Sequence, residues 1–358
     1  MSLIINIQKR LKSLNLNIHI DTQGESTGIL GASGCGKSLT LKCIAGIETP
    51  DSGYIILNDR VLFDSKRGIN LKPQQRKIGL LFQSYALFPN MTVRENIEIA
   101  VPQKNNKTEI ADQMLSMLRI AHLQKSYPYQ ISGGEQQRVA LARMMAYEPE
   151  LMMFDEPFSA LDLFLKDQLQ QEILEVLKLY QGEILMVSHS REELYRFCDN
   201  IAVISQGQTI EKGKKEEVFC NPIDIATAKL TGCKNISRAK KLSDYELNAL
   251  DWNVRLNTNK IIEDDISYVG IRAHNLRPCY HKEEANSLSI TMSGFSEGPF
   301  ENNIIVNPHR QTDTSRIWWI VSKQQWKKDL NERVPERITL PKEHLLLLKN
   351  NLESNLLV

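Results

Sequence analysis

A glycine-rich stretch that ends in a lysine and a serine carries the first chemistry in the chain: residues 31–38 read GASGCGKS. The stretch fits the pattern GxxxxGK[ST] and stands directly after an apolar run and directly before a helical one. Its glycines would let backbone N–H groups wrap a phosphate chain, while Lys37 reaches the outer phosphates and Ser38 ligates Mg²⁺. An ordinary glycine-rich turn is the alternative, and this context disfavours it. The predicted nucleotide-phosphate site comprises Gly31, Ala32, Ser33, Gly34, Cys35, Gly36, Lys37, Ser38 and Leu39.

Two adjacent carboxylates, Asp155 and Glu156, follow the apolar run of residues 151–154. They would therefore end a strand at the edge of the sheet where α/β proteins bind their ligands. We predict that Asp155 belongs to the Mg²⁺ shell and that Glu156 is the general base that polarises an attacking water. Taken alone, an acidic pair before Pro157 is more typical of a turn that starts a helix, so the prediction depends on the neighbouring motifs.

A second glycine-bearing motif, residues 131–138 with the sequence ISGGEQQR, precedes the run of residues 139–145. Ser132 and Glu135 have the spacing of a capping box, in which both side chains satisfy free amides at a helix start. A capped helix N-terminus with glycines also attracts phosphate, and another subunit's nucleotide could use it. The two interpretations are compatible, and the double glycine favours function. The predicted nucleotide contacts are Ser132, Gly133, Gly134 and Glu135.

The elements that position these residues can be predicted from short apolar runs, which are typical of strands buried in a parallel sheet. The runs cover residues 27–30, 78–82, 151–154, 184–187 and 201–204. Helical patterns separate most of them, one from Gly36 to near Gly46 and another over about 162–180. The alternation from Leu14 to Ile20 predicts a half-buried strand in an antiparallel opening sheet. The layout predicts an α/β fold of the P-loop kind.

Composition and charge narrow the possible partners. The chain of 358 residues is long enough for two domains, and its net charge of +1 does not indicate a nucleic-acid partner. Six cysteines without a CxxC pair, and the lack of a charged and then apolar leader, indicate a reducing cytoplasm. No apolar stretch reaches the roughly 20 residues of a membrane-spanning helix, so in a transport system another chain would supply the pore.

The last third of the chain differs in composition from the rest. All four tryptophans follow residue 250, and strand-like pieces occur around residues 288–292, 316–321 and 337–340. We predict a nucleotide-binding domain over residues 1–235, with a helical subdomain at about 84–150. The remaining residues, 236–358, are predicted to form a small, mostly β domain.

With these motifs in order, residues 1 to about 230 closely resemble the ABC ATPases. The resemblance implies that Gln83 is the glutamine that senses Mg²⁺ or water and moves with a permease. It implies that Asp162 lies in the loop that crosses a homodimer and that His189 contacts the γ-phosphate. Alone, these residues would be a solvated glutamine, a helix N-cap and a surface histidine. ATP and Mg²⁺ are the implied cofactors.

One departure from that family concerns the nucleotide base. The family usually stacks adenine on an aromatic residue near the N-terminus, but residues 1–53 contain no Phe, Tyr or Trp. We expect Arg10, Leu11 or another nearby side chain, or else a different segment, to cover the ring, and we expect base selectivity to be loose.

Residues 76–95 are similar to importer ATPases with an extra C-terminal β domain, and VGIRAH at 269–274 resembles a motif of that TOBE- or MOP-like domain. The chain looks most like the ATP-binding subunits of molybdate and sulfate importers. This implies a homodimer on the cytoplasmic face of the membrane, bound to transmembrane permease subunits and served by an extracytoplasmic solute-binding protein. We expect a permease helix to dock in a groove beside Gln83 with Tyr85, Leu87, Phe88 and Pro89.

Three alternatives remain open. An importer for polyamines, iron or sugars would share the motifs, as would an ABC ATPase that works on DNA or ribosomes. The latter usually has two ATPase units or a long coiled coil, and this chain has one unit and no sustained heptads. A P-loop kinase would leave residues 132–138 without a role.

Overall fold

The structure is a computed structural model that describes residues 2–102, 106–159, 163–281, 284–308 and 316–350, without the side chains of residues 163–165. The chain divides into two compact units, residues 1–215 and 216–358. The division falls after residue 215, which is earlier in the chain than the boundary near residue 235 that the composition indicates. The extent of the nucleotide-binding domain to residue 235 and its helical subdomain at 84–150 stay predictions.

One eleven-stranded sheet organises the described part of the first unit. Across the sheet the order is β6-β5-β4-β1-β2-β11-β10-β3-β9-β8-β7. The strands are β1 (Leu3–Arg10), β2 (Asn15–Asp21), β3 (Thr27–Gly31), β4 (Ser52–Leu57), β5 (Arg60–Asp64), β6 (Ile69–Asn70), β7 (Ile78–Leu81), β8 (Leu151–Asp155), β9 (Glu183–Val187), β10 (Asn200–Ser205) and β11 (Gln208–Lys214).

The two halves of this sheet differ in strand direction. Strands β1, β2, β4, β5 and β6 pair antiparallel, and β2 alternates buried and exposed residues as predicted. Strands β10, β3, β9, β8 and β7 pair in parallel, and β3 is buried along its whole length. Such a strand needs apolar residues on both faces. The predicted antiparallel opening and parallel sheet are confirmed.

Most of the helices described in the first unit contact either the parallel strands or one another. The described helices are α1 (Lys37–Ala45), α2 (Val93–Glu98), α3 (Lys107–Met117), α4 (Gly133–Ala146), α5 (Leu163–Leu177) and α6 (Arg191–Phe197). Helix α1 begins after Gly36 and ends at Gly46, both left-handed, as its sequence predicts. Its Leu41 and Ile44 belong to a fully buried core with Ile29 of β3. Burying each such side chain stabilises the fold by about 1.5–3 kcal/mol.

The carboxyl ends of parallel strands share one edge of a sheet. Strand β3 leads into the glycine-rich loop, and β8 ends at Asp155. Gln83 follows β7, and His189 follows β9. The strand order therefore places four predicted site segments along one edge.

The second unit is small and mostly β, as predicted. Its described strands form two five-stranded sheets, ordered β14-β13-β12-β15-β21 and β16-β20-β17-β18-β19. The strands are β12 (Asn235–Lys241), β13 (Glu246–Ala249), β14 (Val254–Asn257), β15 (Tyr268–Ile271), β16 (Arg277–Pro278), β17 (Ser287–Glu297), β18 (Glu301–Pro308), β19 (Ile317–Ser322), β20 (Arg337–Thr339) and β21 (Leu346–Leu348). Helices α7 (Lys215–Cys220), α8 (Ile225–Leu230) and α9 (Lys323–Lys328) accompany them. Trp252 and Trp319 lie in the core of this unit.

A buried carboxylic acid lies at the start of β9. Glu183 is 2% exposed. Thr22 Oγ1 donates a 2.8 Å hydrogen bond to its Oε2, while Oε1 has no hydrogen-bond partner among the described residues. Burial raises the pKa of this carboxyl above its ordinary value.

The substitution Glu183→Gln is expected to gain stability relative to the wild type as the pH rises. Because the folded-state pKa is raised, the unfolded chain releases this proton first, and the wild type loses stability above about pH 4.3 until the folded group ionises. The loss is about 1.4 kcal/mol for each unit between the two pKa values. Urea unfolding at several pH values measures it, with the exposed Glu175→Gln as control. A stability difference that does not change with pH would contradict the prediction.

Candidate nucleotide-binding site

The loop between β3 and α1 requires glycine at three positions. Gly34 and Gly36 have left-handed φ values of 77° and 107°, which residues with a Cβ rarely adopt. A Cβ on Gly31 would lie 2.5 Å from the carbonyl oxygen of Ile204, and one on Gly36 would lie 2.5 Å from Leu16 Cδ1. The glycine pattern thus follows from the path of this backbone.

The Lys37 ammonium folds back onto the same loop. Its Nζ donates hydrogen bonds of 2.8 and 2.9 Å to the carbonyl oxygens of Gly31 and Ala32, and the residue is 4% exposed. A charged phosphate is a stronger acceptor than a carbonyl oxygen, so an arriving phosphate can replace these bonds. The other predicted contacts in this segment are Ser33, Cys35 and Leu39.

The far end of α1 is closed by Arg76, which has no exposed surface. Its guanidinium donates to the carbonyl oxygens of Cys43 and Ile44 at 2.9 and 2.7 Å, where the last carbonyls of a helix lack internal partners. Further bonds reach Leu71 O and Asn70 Oδ1. Arg76 thus fixes α1, and with it the phosphate loop, to the segment that leads into β7.

Ser38 and Asp155 meet at the sheet edge. Ser38 Oγ donates a 2.9 Å hydrogen bond to Asp155 Oδ1, which joins the first turn of α1 to the last residue of β8. Mg²⁺ prefers oxygen ligands and usually takes one or two of them from carboxylates while keeping water and phosphate oxygens. A hydroxyl beside a carboxylate therefore fits this ion.

Glu156 and His189 form a second contact at this edge. His189 Nε2 lies 2.5 Å from Glu156 Oε1. Glu156 has a left-handed φ of 50°, and its N–H donates to Val187 O at 2.9 Å. The chain therefore turns sharply after β8. The Glu156 side chain is mostly buried and that of His189 is half exposed, so a ligand can reach the imidazole.

Gln83 joins the same group of residues through Ser159. Gln83 Nε2 donates to Ser159 Oγ at 3.2 Å, and Ser159 Oγ donates to Glu156 O at 2.9 Å. The structure thus brings the residue after β7 next to the turn after β8. Asp162, predicted to contact nucleotide, lies outside the described residues.

The capping box at the start of α4 is confirmed. Glu135 Oε2 accepts from the N–H and the Oγ of Ser132 at 2.8 and 2.7 Å. The bond from the Ser132 hydroxyl, and then that from its N–H, lowers the pKa of Glu135. A Cβ on Gly133 or Gly134 would meet no described atom within 4 Å, so this helix start is open. Within one chain, the side-chain bonds of Ser132 and Glu135 stay inside the box and do not reach the sheet edge.

Two residues that sequence reasoning missed, Arg143 and Asn96, hold the segment after β7. Arg143 donates to the carbonyl oxygens of Tyr85 and Ala86 at 2.9 and 2.7 Å, and its guanidinium lies 5.5 Å from the Phe88 ring centroid. Asn96 is fully buried and bonds both the N–H and the C=O of Phe88. The sequence carries one sign of the role of Arg143: it is a charged residue inside an otherwise apolar helical run.

The turn between β1 and β2 lies beside the phosphate loop and carries aliphatic side chains. Leu11 N–H donates to Leu14 O at 2.8 Å and closes the turn. Leu14 Cδ2 lies 3.3 Å from the position of a Cβ on Gly36, and Leu11 is partly exposed. Arg10, the other residue expected near the base, has its N–H bonded to Asp51 Oδ2 at 2.7 Å.

Residues 11–159 match the family model described as ABC transporter. The putrescine transport ATP-binding protein PotG of Escherichia coli (strain K12) is 39% identical over 236 residues, which are 64% of this chain and 59% of PotG. The molybdenum import ATP-binding protein ModC of Photobacterium profundum is 31% identical over 279 residues, which are 76% of this chain and 77% of that protein. The match thus spans less than two thirds of PotG and more than two thirds of this ModC.

A solved structure of similar fold is the dimeric post-hydrolysis state of the ATP-binding cassette MJ0796 bound to ADP and Pi. Its TM-score is 0.51 at 25% sequence identity, and the match covers 60% of this chain and 99% of that one. Among the described residues, no helix combines the length and apolar character needed to span a membrane. The family match includes the phosphate loop, Gln83, the capping box and both carboxylates.

Proposed function

Because this chain belongs to the ABC transporter family and is an ATP-hydrolysing subunit of the importer kind, we propose that it is the motor of an importer with separate permease subunits. One observation carries the proposal: three side-chain contacts meet at one sheet edge beside the phosphate loop. They join Ser38 to Asp155, Glu156 to His189 and Gln83 to Ser159. An oxygen pair suited to Mg²⁺, a carboxylate base and a polar sensor thus lie together.

ATP binding begins at the phosphate loop. Lys37 exchanges its bonds to two carbonyl oxygens for bonds to the outer phosphates, which are stronger because both partners are charged. Ser38 and Asp155 would hold Mg²⁺, with Gln83 beside them. When Mg²⁺ is bound, it neutralises part of the negative charge of the phosphates.

Hydrolysis is assigned to Glu156 and His189. The left-handed φ of Glu156 turns the chain directly after Asp155. Asp155 contacts Ser38 and Glu156 contacts His189, so one carboxylate can serve the metal and the other the water. The Glu156 carboxylate accepts the proton of the attacking water. His189 Nε2 holds that carboxylate at 2.5 Å, and its half-exposed imidazole can contact the γ-phosphate.

Two subunits are proposed to complete each site. The open N-terminus of α4 attracts phosphate, yet its capping residues are not bonded to the sheet edge of their own chain. We therefore place Ser132–Glu135 of one subunit on the ATP held by Lys37 of the other. The result is a head-to-tail homodimer with two ATP molecules.

For the solute we propose an oxyanion such as molybdate, tungstate or sulfate. The similarity to ModC, the VGIRAH segment and the mostly β second unit support this choice. The similarity to PotG supports a polyamine as the alternative. The subunit would act peripherally on the cytoplasmic face of the membrane, and an extracytoplasmic solute-binding protein would deliver the solute.

The permease contact is proposed at the segment after Gln83. Phe88 is 45% exposed and Leu87 is half-buried. Asn96 bonds the backbone of Phe88, and Arg143 bonds the two carbonyl oxygens just before this pair. Tyr85, expected in the same groove, is instead buried and donates to Gln137 Oε1 at 3.3 Å. The apolar docking surface is therefore formed by Leu87, Phe88 and Pro89.

Charging this surface by Leu87→Glu or Phe88→Asp is expected to abolish solute uptake while the isolated subunit still hydrolyses ATP. An unpaired charge buried against a permease helix costs several kcal/mol, whereas in the free subunit it stays in water. Uptake of labelled molybdate, sulfate and putrescine by vesicles that contain the cognate permease measures the first effect, and phosphate release measures the second. The exposed Leu179→Glu is the control. Normal uptake by both variants would refute this docking site.

A further inference from the structure

Two stacked tyrosines stand directly before the capping box. The ring centroids of Tyr127 and Tyr129 are 5.7 Å apart, with 12° between the ring planes. Tyr129 is 75% exposed. A ring held flat by a neighbour and open on its other face offers a stacking surface, since offset stacking of aromatic rings is favourable.

The turn that carries these tyrosines, residues 127–130, is fixed to the start of α4. Gln136 Nε2 donates to Pro128 O at 3.0 Å and to Ile131 O at 3.2 Å, on either side of Tyr129. Tyr129 therefore moves together with Ser132. Three residues span at most about 10 Å, so a tyrosine side chain from this turn reaches from the phosphate end of a nucleotide towards its base.

The turn between β1 and β2, which lies beside the phosphate loop of the same chain, carries aliphatic side chains. Leu11 and Leu14 occupy the turn beside Gly36, and residues 1–53 contain no Phe, Tyr or Trp. Leucine side chains can cover one face of adenine, but stacking on an aromatic ring contributes more. The other face of the base is thus left for an aromatic ring from a different segment.

We propose that Tyr129 of one subunit stacks on the adenine of the ATP held by the other subunit, opposite Leu11 and Leu14. This inference rests on the proposed head-to-tail dimer, in which Ser132 meets the phosphate end of that ATP. Tyr129 is then an affinity-determining residue that acts only when the dimer forms. Every base has a π-face, so the contact tolerates other bases.

The test uses the Glu156→Gln chain, in which ATP is expected to persist, and measures by sedimentation the ATP concentration that gives half-maximal dimer. Tyr129→Ala is expected to raise it by about 5- to 150-fold, the loss of one base–aromatic stack. Tyr129→Phe should restore the parent value because it keeps the ring. ATP binding by the monomer should not change. Tyr245→Ala, at an exposed tyrosine of the second unit, is the matched control.

Heterodimers can show whether Tyr129 acts on the ATP held by its own chain or on the ATP held by the other chain. With Lys37→Ala in one chain, only the other chain's loop holds ATP, so Tyr129→Ala should weaken the site when it is in the Lys37→Ala chain and have no effect in the other chain. The opposite pattern, or equal ATP requirements for parent and Tyr129→Ala, would overturn the inference and leave the proposed function in place. Failure of the parent to form an ATP-dependent dimer would overturn both.

Discussion

Replacing Glu156 by glutamine is expected to lower the rate of ATP hydrolysis by about 10²- to 10⁴-fold, the usual worth of a positioned general base. Glutamine keeps the size of the side chain and an oxygen for the 2.5 Å contact with His189 Nε2, but it cannot accept the water's proton. The bond between Ser38 and Asp155 is untouched, so ATP binding should survive. Phosphate release under single-turnover conditions measures the rate, with Glu175→Gln as the control.

The same variant should elute as a dimer in the presence of ATP, because unhydrolysed nucleotide stays between the subunits. Asp155→Asn should have a different effect, because this substitution removes the carboxylate that accepts the hydrogen bond from Ser38. The Asp155→Asn variant should therefore lose Mg²⁺-dependent nucleotide affinity. Near-normal turnover by Glu156→Gln would refute the assignment of the base. His189 would then be the next residue to replace.

Mixing a Lys37→Ala chain with a Ser132→Arg chain is expected to restore hydrolysis that neither chain shows alone. Each homodimer has two defective sites, whereas a mixed dimer keeps one site with both wild-type motifs. Random pairing makes half of the dimers mixed, so activity should return to about a quarter of the wild-type value. Phosphate release by the mixture measures the return.

Two conservative variants serve as controls for that experiment. Ser132→Thr keeps a hydroxyl cap at the start of α4, and Lys42→Ala removes an exposed lysine from the same helix as Lys37. Both should retain activity alone. Background hydrolysis by a mixture that demonstrably contains heterodimers would contradict the composite site.

Much of the site could be predicted because its signals are local in sequence. The left-handed φ values of Gly34 and Gly36 follow from the glycine-rich motif, and the box formed by Ser132 and Glu135 follows from a spacing of three residues. Each apolar run before a site residue proved to be a strand of the parallel sheet. Local chemistry of this kind does not depend on the rest of the fold.

Contacts between distant segments could not be predicted in the same way. Ser38 and Asp155 are 117 residues apart, and Gln83 and Ser159 are 76 apart. Their meeting depends on the strand order β3-β9-β8-β7, which no single apolar run encodes. Arg76 was missed for the same reason, since its acceptors lie in a helix that precedes it in the chain.

Side-chain direction in irregular segments was the other limit. Tyr85 was expected on the surface with its apolar neighbours, yet a left-handed φ of 58° accompanies a side chain that is buried against Gln137. A strand or helix has a periodicity that assigns faces. The segment after β7 has none, so its sequence could not distinguish the buried Tyr85 from the exposed Phe88.

Arg76 also changes the electric field that an approaching nucleotide meets. A helix carries about half an elementary charge of opposite sign at each end, and the Arg76 guanidinium sits on the negative end of α1. The two end charges of α1 cancel each other, so the helix and the guanidinium together carry a net positive charge behind the phosphate loop. The potential of a monopole decays more slowly with distance than that of a dipole, so the loop attracts a polyanion from further away than its own backbone dipoles would allow.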